Sequence, residues 1–353
     1  MKPLITALVD TYNHERYIEQ ALASVLEQGL PAAELEIVVV DDGSSDGTAS
    51  IVEKFAPRVK LVRKKNGGQA SAFNAGFAQA RGEIVAILDG DDWWAPGKLA
   101  AVAEVLEKKP EVAAVGHGYY RYDEETKETK VRAPAARQLL SLATPETTRA
   151  AIPAWEYLLM GALTVRRKVL ERITPLPEEM VFMADTAIQA AAMAMGTLVL
   201  PEPLFYYRYH AQNLYAIDAQ DVARLRRKYA MTELVHDRVF GMLIEMGVSP
   251  ESAAGLLSGT RLEATRWRLH KFGGKRREAF ETEMQAFRES VKNPSTAYRA
   301  FKYVVVGTAT LLMPPQQFYE MRNWYAKREL GRYRERIARK DADRSVLQGD
   351  SAN

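Results

Sequence analysis

The sequence predicts an α/β protein, with a doubly wound, mostly parallel sheet flanked by helices in its N-terminal part and a helical extension behind it. Three observations point there. Four short β-type runs alternate with amphipathic helical stretches from the N-terminus, the rhythm of parallel strands covered on both faces. Polar clusters sit where those strands end, which is the edge of such a sheet that binds ligands. The charge also changes sign along the chain: residues 1–220 hold 23 Lys+Arg against 29 Asp+Glu, and residues 221–353 hold 25 against 16. A length of 353 residues accommodates one large α/β domain plus an appendage. The boundary is placed near residue 220, with a domain over 1–220 and a basic helical region over 221–353.

The first strand, residues 4–9, runs into Asp10-Thr11-Tyr12-Asn13. The second, 36–40, ends in Asp41-Asp42-Gly43-Ser44-Ser45-Asp46-Gly47-Thr48. There Ser45 or Asp46 can cap the following helix, which leaves Asp41 and Asp42 to accept hydrogen bonds, for instance from the edge of a nucleobase. The third strand, 59–63, precedes Asn66-Gly67-Gly68 and a helix containing Asn74. Small polar residues at that helix start let backbone approach a ligand closely, and the helix N-terminus favours an anion. The stretch matches neither a Gly-x-x-x-x-Gly-Lys-Ser/Thr phosphate loop nor a Gly-x-Gly-x-x-Gly turn, so those enzyme classes drop away.

The fourth strand, 84–88, stops abruptly at Asp89-Gly90-Asp91-Asp92, three carboxylates in four positions. Crowded like charges cost free energy unless neutralised, and a hard divalent cation with oxygen ligands is the common remedy. The blander alternative is a solvated acidic turn. Trp93 and Trp94 follow, able to stack on a ligand face or to finish a core, and Trp155 near Gly161 poses the same choice. Beyond Pro110 come strand-like runs at 113–116 and 119–122, a charged hairpin at 123–127, and further runs at 197–200 and 204–209.

These motifs, in this order and spacing and joined by Arg81-Gly82-Glu83 and by Pro96 to Leu99, resemble the family 2 glycosyltransferases over residues 4 to about 213. The resemblance implies the GT-A fold, an α/β domain whose first half binds a nucleoside diphosphate sugar and whose second half binds a hydroxyl-bearing acceptor. It implies that Thr11, Tyr12 and Asn13 line the nucleoside pocket with Asp42, and Asp41 behind it, near the base. Gly68, Asn74 and Gly90 join the donor site. Asp89 and Asp91 match the Asp-x-Asp element that holds Mg²⁺ or Mn²⁺ on the diphosphate, with Asp92 adjacent.

On the acceptor side the family places a carboxylate, often Glu-Asp, before a helix. The matching stretch is Phe182-Met183-Ala184-Asp185-Thr186, so Asp185 is the implied base and Ala184 replaces the Glu. Locally, Asp185 also reads as the N-cap of a helix starting at Thr186. Tyr207-Arg208-Tyr209-His210 is similar to the family's Tyr-Arg-x-His element, with His210 on the metal or diphosphate and Arg208 on phosphate. The implied reaction is inverting, metal-dependent transfer of a sugar to a glycan or lipid-linked hydroxyl, in cell-surface glycan or polysaccharide synthesis. The alternative is a non-catalytic sugar-nucleotide-binding or membrane scaffold protein of the same fold.

Zero cysteines exclude a disulfide framework, and with no apolar signal stretch at the N-terminus they favour a reducing cytoplasmic setting. Between Lys302 and Glu320 no charge occurs. That stretch is too short to span a bilayer. With Arg299, Lys302, Arg322, Trp324, Lys327 and Arg328 around it, the region 297–328 fits either a segment lying on an anionic membrane surface, on the inner face of the cytoplasmic membrane, or a docking or homodimer helix. No aromatic-interleaved basic motif points to nucleic acid.

Overall fold

The computed structural model describes residues 4–210, 213, 222–290 and 297–324. By compactness the chain divides into two units, Met1–Ser258 and Gly259–Asn353.

In the first unit, β1 Ile5–Thr11, β2 Leu35–Asp41, β3 Lys60–Arg63 and β4 Ile84–Asp89 form where the apolar runs predict, alternating with helices α1 Ile18–Leu26, α2 Thr48–Glu53 and α3 Gln69–Gln79. Side chains alternate across a strand, so each run must be apolar on both faces. Leu8, Val38, Val40, Val85 and Ile87 fill one core, while Ala7, Val9, Ile37, Val39, Ala86 and Leu88 fill the other. The four strands are parallel in the order β3-β2-β1-β4. The chain therefore winds outward from β1 and then crosses to its far side. That reversal opens a crevice at the carboxyl ends of β1 and β4.

The sheet continues through β5 Trp93–Trp94, β6 Ala114–Asp123, β7 Thr129–Arg132, β8 Gln138–Leu140, β9 Thr164–Arg166 and β10 Thr197–Tyr209, with α4 Lys98–Lys108 after β5. Beyond β4 the order is β9-β6-β10-β5, and β9 is antiparallel to both of its neighbours. Two pairs of runs that read as separate strands are single ones. Residues 113–116 and 119–122 fall mainly in β6, and residues 197–200 and 204–209 are joined in β10. In β10 the register against β6 shifts between Leu200 and Pro203 and again before Tyr206. Prolines 201 and 203 have no N–H for the ladder, so the strand bulges there without ending. The charged hairpin forms as expected: the Asp123 N–H donates to the Glu128 carbonyl and β6 pairs with β7.

Helices α5 Pro145–Ala151, α6 Arg167–Ile173, α7 Asp185–Ala194, α8 Val222–Glu245 and α9 Pro250–Phe272 follow, with a 3₁₀ turn at Ile152–Leu158. The boundary proposed near 220 lies outside the described residues, and the compact unit runs further, to Ser258. Val235, Val239 and Leu243 of α8 and Ala253, Leu256 and Leu257 of α9 are buried in the same core as Ile188 and Ala191 of α7, so this part of the helical region completes the α/β domain. Moving the boundary leaves the net charge of each part unchanged: residues 1–258 hold 28 Lys+Arg against 34 Asp+Glu, and residues 259–353 hold 20 against 11.

The second unit contains the end of α9, then α10 Arg276–Ser290, α11 Ala297–Leu312 and a helical stretch at 315–324. Leu269, Ala279, Phe318 and Tyr319 make a small core, against which Val306, Ala309 and Met313 pack. Arg266 and Glu283 add a two-pronged ion pair at 2.7 and 3.0 Å. Among the described residues no helix is long and apolar enough to cross a membrane.

Candidate active site

A cavity of about 750 Å³ opens at the carboxyl ends of β1 and β4, lined by residues that include Asp10, Thr11, Asp42, Asp89, Asp91, Asp185 and His210. The parallel register places Asp10 directly beside Asp89. Gly90 then turns so tightly that a Cβ there would lie 2.6 Å from Thr11 Oγ1 and 2.9 Å from His14 Nδ1, so only glycine lets the next carboxylate, Asp91, come round to the cavity. Gly90 itself acts by this close packing and is not on the wall.

The carboxylates are crowded. Burial and the neighbouring Asp91 push Asp10 up to about 7, and its Oδ1 is buried with no hydrogen-bond partner. Burial and the adjacent Asp10 charge also hold Asp89 well above the ordinary range. Asp91 is different: burial opposes its charge, yet the His210 hydrogen bond at 3.0 Å keeps it below its ordinary value. His14 Nε2 is 3.9 Å from the same Asp91 oxygen, beyond hydrogen-bond distance, and burial lowers His14, so the direct imidazole partner of Asp91 is His210. Asn213 reaches the same Asp91 oxygen from 3.5 Å.

Around the strand ends, Asn13 adopts a left-handed φ of 57° and ties two loops together. Its N–H donates to Ser44 Oγ at 2.8 Å and its Oδ1 accepts from the Ser45 N–H at 2.9 Å. Thr11, the half-exposed Tyr12 and Asn13 all lie on the cavity wall. Asp42 is on the wall too, but its oxygens already accept from Lys64 Nζ at 2.6 Å and from the N–H groups of Gly67 and Gly68 at 3.0 and 2.8 Å. It pins the loop whose Gly68, at φ 83°, runs against Val181 with no room for a Cβ. The cap position of α2 is held by Gly47 and not by Ser45 or Asp46; Asp46, one residue earlier, accepts from the Thr48 N–H at 3.0 Å.

Besides Gly90, four residues assigned to ligand or metal are not on the wall. Asp41 is fully buried, accepts from the Ser44 N–H at 2.9 Å and faces Arg63, so it shapes the turn after β2. Asn74 Nδ2 and Oδ1 bond the carbonyl and N–H of Leu176, both at 2.8 Å, and brace a loop. Asp92 is buried and accepts from the Arg208 N–H at 2.7 Å. The Arg208 guanidinium is also buried, donating to the Asp91 carbonyl, Glu124 and Gln20 at 2.6–2.7 Å. It lies over the rings of Tyr17, Trp93 and Tyr122, away from the cavity lining. Of the tryptophans, Trp94 is core and bonds the Gly161 carbonyl, Trp93 stacks on Tyr206, and Trp155 bonds Gln189.

Across the cavity, Asp185 is the first residue of α7, with Ala184 in the cap position. Its Oδ1 accepts from the Thr186 N–H at 2.9 Å, and burial pushes the carboxyl up to about 6. The α3 and α7 starts are locked together, since the Ala184 N–H donates to Gln69 Oε1 and the Gln69 N–H to the Val181 carbonyl. Asp10, His14, Gln69, Val181, Tyr207 and Asn213 are wall residues that sequence reasoning did not assign. Asp10, the acidic residue closing an apolar strand, and Tyr207, within the Tyr-Arg-x-His element, carried a signal; the others reach the site through folding.

Comparison with known proteins agrees with this geometry. The Glycosyl transferase family 2 model matches residues 6–174. An uncharacterized glycosyltransferase of Nostoc sp., alr2836, is 32% identical over 253 residues, covering 69% of this chain and 76% of that protein. EpsJ of Bacillus subtilis, also an uncharacterized glycosyltransferase, is 30% identical over 227 residues, and the match spans 63% of its length. Among solved structures, residues 1–349 of Staphylococcus aureus TarS in complex with UDP-GlcNAc superpose with a TM-score of 0.56 at 18% identity, covering 87% of this chain and 90% of that one. The architecture is accordingly the GT-A fold, and the chain belongs to glycosyltransferase family 2.

Proposed function

We propose that this glycosyltransferase takes its sugar from a nucleoside diphosphate sugar, with a divalent cation, and moves it with inversion onto a hydroxyl of a glycan acceptor in polysaccharide synthesis. The observation that carries the reading is that Asp185, held near neutrality, shares one cavity with the crowded Asp10, Asp89 and Asp91. The donor set fits Mg²⁺ or Mn²⁺: the ligands are hard carboxylate oxygens, and the buried Asp10 Oδ1 lacks a partner. Asp89 and Asp91 would hold the ion. Among the described residues no three acidic or imidazole groups are already gathered as a coordination shell, so diphosphate oxygens would complete it. When bound, such an ion neutralises the charge that develops on the departing diphosphate.

The chain's own residues supply the rest. Asp185 takes the proton from the acceptor hydroxyl as its oxygen bonds the anomeric carbon, while the bond from that carbon to the diphosphate breaks on the opposite face. The products are the inverted glycoside, the nucleoside diphosphate and a protonated Asp185. A carboxyl at about 6 is ionised at neutral pH yet basic enough to accept that proton. His210 fixes the orientation of Asp91, and Leu159, Met160 and Val181 give the cavity an apolar side that limits water.

TarS is named as a poly(ribitol-phosphate) β-N-acetylglucosaminyltransferase, which makes UDP-GlcNAc the first donor to try. Calorimetric titration of UDP, GDP and dTDP and their sugar conjugates, with Mn²⁺ or EDTA, tests the reading. One nucleotide should bind in a metal-dependent way, and Asp91→Asn should abolish that dependence. If the folded protein binds none of them, the proposal fails.

A further inference from the structure

Helix α11 has two apolar faces, and only one is covered within its unit. Val306, Ala309 and Met313 pack against the small core, and Gly307 sits against Phe280 and Met284 so closely that a Cβ would meet them at 3.3 and 3.5 Å. The opposite side carries Val304, Val305, Thr308, Leu311 and Leu312, a stripe at helical spacing that is exposed throughout, with Leu312 at 70% and Val304 at 61%. In the helical stretch that follows, Met321 and Trp324 are exposed as well. A helical segment such as 303–312, uncharged and apolar on two sides, calls for an apolar partner on its open side.

Charge identifies the partner. Residues 259–353 hold 20 Lys+Arg against 11 Asp+Glu, a surplus of nine positive charges, whereas residues 1–258 have a net negative balance. Arg261, Lys275, Arg276 and Arg277 of this unit are exposed. A second copy would bring the same surplus and be repelled, while an anionic surface attracts it. An apolar stripe with an exposed tryptophan beside it, within a cationic unit, has the composition of a helix that lies in a bilayer interface with its apolar side among the acyl chains. We propose that the second unit binds an anionic lipid bilayer through the exposed stripe of α11, and so holds the enzyme at a membrane surface where a lipid-linked or wall-bound acceptor is presented.

The test is flotation of the full chain with phosphatidylcholine vesicles containing or lacking about 30% phosphatidylglycerol, alongside light scattering of the protein alone. The chain should float with the anionic vesicles, not with the neutral ones, and less so in high salt. Val305→Asp with Leu312→Asp should weaken binding at least tenfold, and so should Lys275→Glu with Arg276→Glu and Arg277→Glu. All these positions are exposed, and an unchanged melting temperature and unchanged donor binding would show that the fold and donor site are intact. Absence of flotation by the folded wild type would overturn the proposal. So would flotation that neither variant alters, or a stripe variant that turns a dimer into a monomer while vesicle binding persists.

Discussion

Two acidic turns lie at the same edge of the same sheet and behave in opposite ways. After β2, Asp41 and Asp42 meet the Ser44, Gly67 and Gly68 N–H groups, Lys64 and Arg63. After β4, Asp89 sits beside Asp10 with too few positive neighbours, and both carboxyls are pushed up. The first turn is neutralised by the protein and braces loops. The second remains short of positive charge, so its crowding is relieved by a held proton or by a bound cation. Acidic residues at a strand end therefore say little by themselves; whether the fold supplies their counter-charge decides their use.

The largest expected effect tests the unneutralised turn. Asp89→Asn should cut transfer by roughly 10³-fold or more, as expected where an ion's charge stabilises a leaving group, with little loss of thermal stability. If stability collapses and the residual activity does not, the two turns are alike and the contrast is wrong. Asp185→Asn should lower kcat by about 10²–10⁴-fold while metal-dependent donor binding survives. Its pH signature follows from a carboxyl raised from 3.8 to about 6. Wild-type kcat should rise with pH through that value and level off above it, a limb that the variant lacks.

Stability carries the opposite sign. The folded protein keeps the Asp185 proton that the unfolded chain releases near 3.8, so stability is lost as pH rises toward 6 and the loss is complete above it. Asp185→Asn should then gain of the order of 1–3 kcal/mol near pH 8 and almost nothing near pH 4, as read by chemical denaturation.

The braced turn should show the reverse profile. Asp42→Asn sets an amide donor against either Lys64 or a glycine N–H, and should cost about 1.5–3 kcal/mol of stability along with weaker donor binding as the 66–68 loop loosens. The smallest effect belongs to Asn74→Ala, which removes two hydrogen bonds to Leu176. It should lower stability by about 1–2 kcal/mol and leave donor affinity unchanged. A large loss of donor affinity in that variant would return Asn74 to the binding site.

Much of the fold is local in origin and was legible. The four leading strands are short and apolar on both faces, which is what a doubly covered parallel strand requires. Asp46 accepts from the Thr48 N–H two residues on, at the start of α2, and the Asp123–Glu128 turn closes on itself. The two broken-looking strands were misread because glycine or proline within a run resembles an end, whereas the neighbouring strand carries β10 through its bulges. The domain limit near 220 was set by a change in charge and helix content, but burial of Val235, Val239 and Leu256 assigns helices to a core that no charge count detects.

The sequence by itself determined the fold class, the order of the strands' polar ends, and the residue types gathered at the crevice: Asp10, Asp42, Asp89, Asp91 and Asp185 all stand within or beside motifs that can be read along the chain. Only the tertiary structure decided which of the acidic groups are neutralised. Asp41, Asp92 and Arg208 look like ligand groups in sequence and are consumed by partners 20 to more than 100 positions away, Arg63, Arg208 and Gln20 among them. His14, Tyr207 and Asn213 reach the site from different segments for the same reason. Local sequence fixes what a strand end can offer, while its charge balance depends on groups that folding brings in from elsewhere.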